Sequence, residues 1–119
     1  MSIIATVLIA FVALLHVYFM VLEMFLWDKP LGMKTFRNSP ENAAATKVLA
    51  ANQGLYNGFL AAGLIVGLLM GTAGFHFKLF FLICVIVAGV YGAVTFSKKI
   101  LYVQALPAAL AMAALFLAK

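Results

Sequence analysis

The chain has 119 residues, 67% of them hydrophobic and only 9% charged, with a mean hydropathy of +1.18 and a formal net charge of +5. A soluble domain carries roughly a quarter charged residues, so there is too little polar surface here to cover a water-soluble globule, and the length allows one domain at most. Disorder and a coiled coil are excluded by the apolar content, and a disulfide scaffold by the single cysteine.

The sequence therefore reads as an all-α integral membrane four-helix bundle, built from two antiparallel helical hairpins. The first predicted span, about residues 3–27, is broken only by Thr6, His16 and Glu23 and exceeds the roughly 20 residues a spanning helix needs. It lacks a cationic start and a small-residue cleavage site before Trp27, so it is not read as a signal peptide. Leu31, Met33 and Phe36 alternate with Lys34 and Arg37 in the connector that follows. That pattern fits either a segment lying in the lipid interface or a solvated loop.

Ser39-Pro40-Glu41 announces the second helix with a capping serine, a proline at the first helical position and an acid in the first turn. Its membrane part is predicted at about 48–70. Gly71 and Gly74 mark a turn, the third span follows at about 78–97, and the fourth at about 100–118. Together these make a single transmembrane domain over 1–119.

Six of the eight basic residues fall in the first and third connectors, namely Lys29, Lys34, Arg37, Lys47, Lys98 and Lys99, which leaves Lys78 and Lys119 for the other side. This is a topology signal rather than a nucleic-acid patch. It puts both termini on the non-cytoplasmic side of a cell membrane, the bacterial inner membrane by expectation, and it opposes dual topology.

Ionisable groups inside a span are costly, so His16 and Glu23 stand out. Their spacing of seven puts them on one helical face with Met20 and Trp27. Asn52, Gln53, Tyr56 and Asn57 cluster within about 140° of arc on the second helix, and Gly63 and Gly67 continue that face. Ala51, Gly54, Gly58 and Ala62 form a second small-residue face opposite. Antiparallel pairing sets Glu23 level with Leu49 to Gln53 and His16 level with Tyr56 and Asn57. Tyr91 and Thr95 of the third span and Gln104 of the fourth fall at the same depth, and Pro107 frees the Val103 carbonyl beside Gln104.

His16 and Glu23 lie about 10.5 Å apart along the axis, too far for a direct hydrogen bond, so Asn52, Gln53 or water would have to relay between them. Glu23 is the stronger focus, as a proton carrier or a neutral donor. The competing reading is polar glue, since interhelical polar bonds contribute about 0.6 kcal/mol on average. His76 is expected in solvent at the outer turn and Cys84 as an inert small hydrophobe. No metal or cofactor motif occurs, and His16 and His76 lie at different depths, which excludes a shared haem.

His16, Glu23, Met24, Phe25 and Trp27, then Phe36, then Asn52-Gln53-Gly54, Tyr56-Asn57-Gly58 and finally Gln104-Ala-Leu-Pro107-Ala108 resemble the family numbered thirteen-oh-four in the domain-of-unknown-function series, small bacterial and fungal membrane proteins. The resemblance covers nearly the whole chain and implies a four-span membrane protein of no established activity. A looser likeness is to the small multidrug resistance transporters, four-span chains with an essential acid in the first helix. Glu23 alone fits that role, it lies nearer the cytoplasmic end, and the third-helix motif is absent, so this likeness is architectural.

The resulting expectation is a polar pocket lined by His16, Glu23, Asn52, Gln53, Tyr56, Asn57, Tyr91 and Gln104 that binds or transports a small amphipathic or cationic molecule. Alternatives are a membrane enzyme with isomerase-like chemistry, using Glu23 and His16 as acid and base, and a structural subunit without a small ligand. No cofactor, metal or nucleic acid is expected. The partners expected are the lipid bilayer and a second copy of the chain, because two small-residue faces on the second helix exceed what one neighbour can use.

Overall fold

The computed structural model describes residues 2–118 and is all-helical, with five α-helices and no strand among the described residues. Lys119, counted above for the outer side, lies outside the described residues. The helices are α1 (Ile3–Met24), α2 (Pro30–Phe36), α3 (Pro40–Leu69), α4 (Phe75–Thr95) and α5 (Leu106–Leu117). Two apolar stretches, Ile3–Met24 and Gly71–Thr95, are long and apolar enough to cross a membrane, and Leu101–Leu117 is a shorter apolar one. α3 is longer than either at 30 residues, but Asn52, Gln53 and Asn57 dilute its apolar character.

Each boundary has a local cause. The Ser2 hydroxyl accepts hydrogen bonds from the backbone N–H groups of Ile4 at 3.1 Å and Ala5 at 3.4 Å, which caps α1. α1 stops at Met24, one turn short of the hydropathy limit at Trp27, as the Leu26 N–H reaches back five residues to Val21 and the chain turns toward Pro30. Hydropathy registers what the lipid tolerates and not where the backbone turns. The Ser39 hydroxyl accepts from the Asn42 N–H at 3.1 Å and opens α3 as its sequence predicts.

α3 ends at Leu69, and two residues on Gly71 takes a left-handed φ of 62°, which suits a residue without a side chain. A single 3₁₀ turn, Gly71–Gly74, then leads directly into α4. The last apolar run begins as a widened turn over Leu101–Ala105, in which the Leu106 N–H bonds the Leu101 carbonyl five residues back. Pro107 explains it: with no N–H to give the preceding turn and a ring that crowds it, the wider spacing is the cheaper solution.

The chain divides into two compact units, with boundaries inside α1 and α3. The core unit comprises Met1–Leu14 and Leu60–Lys119, and the polar unit Leu15–Phe59. In the core unit Ile9, Val12 and Ala13 of α1, Leu64 of α3, Leu82 and Val85 of α4, and Ala108, Ala111 and Leu115 of α5 form one buried apolar cluster. Its tightest point joins α4 to the widened turn, where a Cβ on Gly89 would lie 2.7 Å from the Ala105 nitrogen and 2.8 Å from its Cβ. Such backbone approach is what small residues allow between membrane helices.

Candidate functional site: an acid and an amide between two helices

The polar unit contains the antiparallel pair formed by the second half of α1 and the first half of α3. Gly54 makes close approach possible, since a Cβ there would come within 2.6 Å of Met24 Cγ, 3.0 Å of Glu23 Cβ and 3.1 Å of the Met20 carbonyl oxygen. One turn along, a Cβ on Gly58 would lie 2.7 Å from Met20 Sδ. The small face of α3 is therefore the one laid on α1.

On that contact the Asn57 side-chain amide donates a hydrogen bond to Glu23 Oε1. Asn57 is buried and Glu23 half-buried. Helical side chains lean toward the N-terminus of their own helix, so in an antiparallel pair Glu23 and Asn57 lean toward each other and meet. The observed register is about one turn from the expected one, which had set Glu23 level with Leu49 to Gln53. Gly54 and the flexible Met20 and Met24 side chains fix it.

The remaining sequence candidates divide clearly. His16 is fully buried on α1, with its ring edge-on to Phe19 at a centroid distance of 5.5 Å. Asn52, Gln53 and Tyr56 are exposed on α3, turned away from the Gly54 and Asn57 contact. Tyr91 and Gln104 belong to the core unit, where Tyr91 is exposed on α4 and Gln104 is half-buried in the widened turn. His76 is exposed and Cys84 half-buried.

The end of this helix pair next to α2 is tied down by a second set of contacts. The Trp27 ring packs on Phe36 at 4.9 Å and its indole N–H donates to Thr46 Oγ1 at 3.0 Å. The Lys47 ammonium donates to Asp28 at 2.9 Å and holds that carboxyl below its ordinary value of 3.8.

Sequence reasoning missed Lys78. Its charge read as an outer loop marker, yet it is 1% exposed in the first turn of α4, with its ammonium donating to the Gly71 carbonyl at 2.9 Å and its stem against Gly67. A concavity of about 370 Å³ lies beside it, lined by Thr72, Ala73, Phe75, His76, Lys78 and Leu115 among others. The only sequence signal was the pair Gly67 and Gly71, a gap and a bare carbonyl at a distance a lysine can bridge. Gly63 and Gly67 are themselves filled by Phe81 and Lys78. Both glycine faces of α3 thus have neighbours within the chain.

Among the described residues no group of three or more His, Cys, Asp or Glu side chains is placed to hold a metal ion. Chemically, the α1 and α3 contact offers one carboxyl with one amide donor, a site able to face a cation or exchange a proton.

Over residues 10–116 the chain matches the family model described as "Protein of unknown function (DUF1304)". It is similar to a protein of Lactococcus lactis subsp. lactis (strain IL1403) named "Uncharacterized protein YpaA", with 33% identity over 118 residues, covering 98% of this chain and 99% of that one. No solved structure matches it. Since both matches span nearly the full length, the chain belongs to the DUF1304 family.

Proposed function

We propose that this is a multi-pass membrane protein whose α1 and α3 contact binds, and in a transport cycle passes on, a small amphipathic or cationic molecule, with Glu23 as its counter-charge or proton carrier. One observation carries the reading. Glu23 is one residue from the end of α1, within reach of a headgroup layer, yet its carboxyl is turned between two helices onto Asn57. An acid costs roughly 2.5–3.5 kcal/mol at the centre of a membrane helix and less toward its end. An amide pair would tie the helices together without that cost, so the acid is retained for its charge or its proton. His16, buried on the same helix face, completes the inward stripe.

In this reading α1, the later part of α3, α4 and the Leu101–Leu117 stretch are four spans, and the basic connectors face the cytoplasm with both termini outside. A homodimer belongs to the same proposal, supported now by the exposed amides Asn52 and Gln53 rather than by glycine faces. Amides facing lipid favour a second copy that supplies their partners.

The glue reading has its own support, because Asn57 and Glu23 satisfy each other. Native mass spectrometry of the detergent-released protein separates the two, and the expected result is two chains with a retained small molecule. A bare single chain across several mild detergents would favour glue. Orientation is read in a Cys84→Ala background: Thr72→Cys should react with an impermeant thiol reagent in intact cells and Glu41→Cys should not. The reverse pattern would overturn the topology.

A further inference from the structure

The connector around α2 holds more positive charge than its acids balance. Asp28 is matched by Lys47, and this is the only ion pair among the described residues. Lys29, Lys34 and Arg37 are exposed and form none.

Their placement is fixed by the fold. Pro30 opens α2, and Gly32 lies so close beneath the Leu26 carbonyl that a side chain there would strike it, which lays the short helix against the end of α1. Trp27 clamps Phe36 from one side. Arg37 closes α2 in the left-handed conformation at φ 55°, its N–H returning to the Lys34 carbonyl, with the Asn38 N–H bonding Met33. The face left outward carries Lys34, Thr35 and Leu31, the last 48% exposed, between Lys29 and Arg37. Phe25, 63% exposed, stands at the end of the membrane-length helix just before it. Leu31 and Lys34 thus share the outward face of α2, and exposed Phe25, Lys29 and Arg37 flank it in sequence, immediately beyond a helix long enough to cross a bilayer.

We propose that this surface docks on anionic phospholipid headgroups, with Lys29, Lys34 and Arg37 facing the lipid phosphates and Leu31 entering the acyl boundary. The charge is complementary to a phosphate layer, and exposed Leu31 and Phe25 have no use on a nucleic-acid surface but are stabilised in an interface. The inference rests on the membrane-spanning reading above.

The test uses the full chain in detergent with equal amounts of phosphatidylglycerol and phosphatidylcholine, and native mass spectrometry counts the lipids retained. The wild type should prefer phosphatidylglycerol. Each cation near an anionic surface is worth about fivefold in binding, so the variant combining Lys29→Gln, Lys34→Gln and Arg37→Gln should lower that preference by about tenfold or more. Lys98→Gln with Lys99→Gln, which removes charge from the other basic connector, should leave it within about twofold. Equal loss in both variants, or none in the triple variant, overturns the proposal. In the wild type alone, raising salt from about 0.1 M to 1 M shortens the screening length from about 10 Å to about 3 Å and should erase the preference. A preference that survives high salt contradicts the proposal even if the triple variant misfolds. Flotation with pure phosphatidylcholine vesicles keeps the two readings apart. Failure of the wild type to float defeats the membrane reading, and normal flotation with unchanged lipid preference defeats only the docking.

Discussion

The Gly89 contact in the core unit and the Gly54 contact in the polar unit use the same device for opposite ends. At Gly89 the neighbours are the Ala105 nitrogen, Cα and Cβ, and both residues are buried. At Gly54 the nearest neighbours are the Met24 and Glu23 side chains, and the space gained admits a carboxyl and an amide. One contact sets distance rigidly, and the other brings polar groups together against side chains that can shift. Function is expected where the neighbours can move and the groups can ionise.

A single substitution applied to both sites sharpens the contrast. Gly→Ala inside a helix gains about 1 kcal/mol in propensity, so any net loss reports crowding. Gly89→Ala should be the largest effect, a net destabilisation of about 1–3 kcal/mol, because Ala105 cannot retreat without moving the widened turn. Thermal unfolding in detergent measures it, and an unchanged midpoint would mean that α4 and the Leu101–Ala105 turn are not rigidly packed. Gly54→Ala should fall within about 1 kcal/mol of wild type, as Met24 rotates aside, while the tight 3.1 Å approach to the Met20 carbonyl loosens the Glu23 and Asn57 bond. Ligand retention should drop more than stability does. Equal losses at both glycines would erase the distinction between the two regions.

How much of this was legible follows the physics of each signal. Ser39 and Pro40 announced α3 because capping is local, and Pro107 announced a freed Val103 carbonyl because a missing N–H is local too, but the widened turn over Leu101–Ala105 was not anticipated. The end of α1 at Met24 was not legible, since Phe25, Leu26 and Trp27 are as apolar as the helix they follow. The face of α3 laid on α1 was misread for a related reason: Asn52, Gln53, Tyr56 and Asn57 cluster on a wheel, but only Asn57 adjoins the small residues that let another backbone close in. Glu23 stood out because an acid in an apolar helix is costly, and its hydrogen-bond partner, Asn57, lies about one turn beyond the expected register. Lys78 stayed hidden because a lysine beside a turn reads as solvated, and only three dimensions show the Gly71 carbonyl it serves.

The smallest effect belongs to the surface end of the polar unit. Lys47 holds the Asp28 carboxyl below its ordinary 3.8, so this pair contributes stability that is fully present above 3.8 and lost as pH falls through the lower folded value. Lys47 is 57% exposed, and salt screens the pair further. Asp28→Asn should therefore lower the unfolding midpoint slightly at neutral pH and low salt and not at all at about 1 M salt. A salt-independent loss would show that Asp28 holds the connector by something other than charge.

Glu23→Gln, measured for unfolding midpoint and for retained small molecule in the same preparation, tests most directly whether Glu23 serves a ligand. Glutamine keeps the size and can still accept the Asn57 hydrogen bond, while the cost of an ionisable group between helices is removed. The predicted result is an unfolding midpoint equal to or above wild type together with loss of the co-purifying molecule. A variant that keeps its ligand, or that loses stability and ligand in step, would contradict the claim and leave Glu23 and Asn57 as a structural tie between α1 and α3.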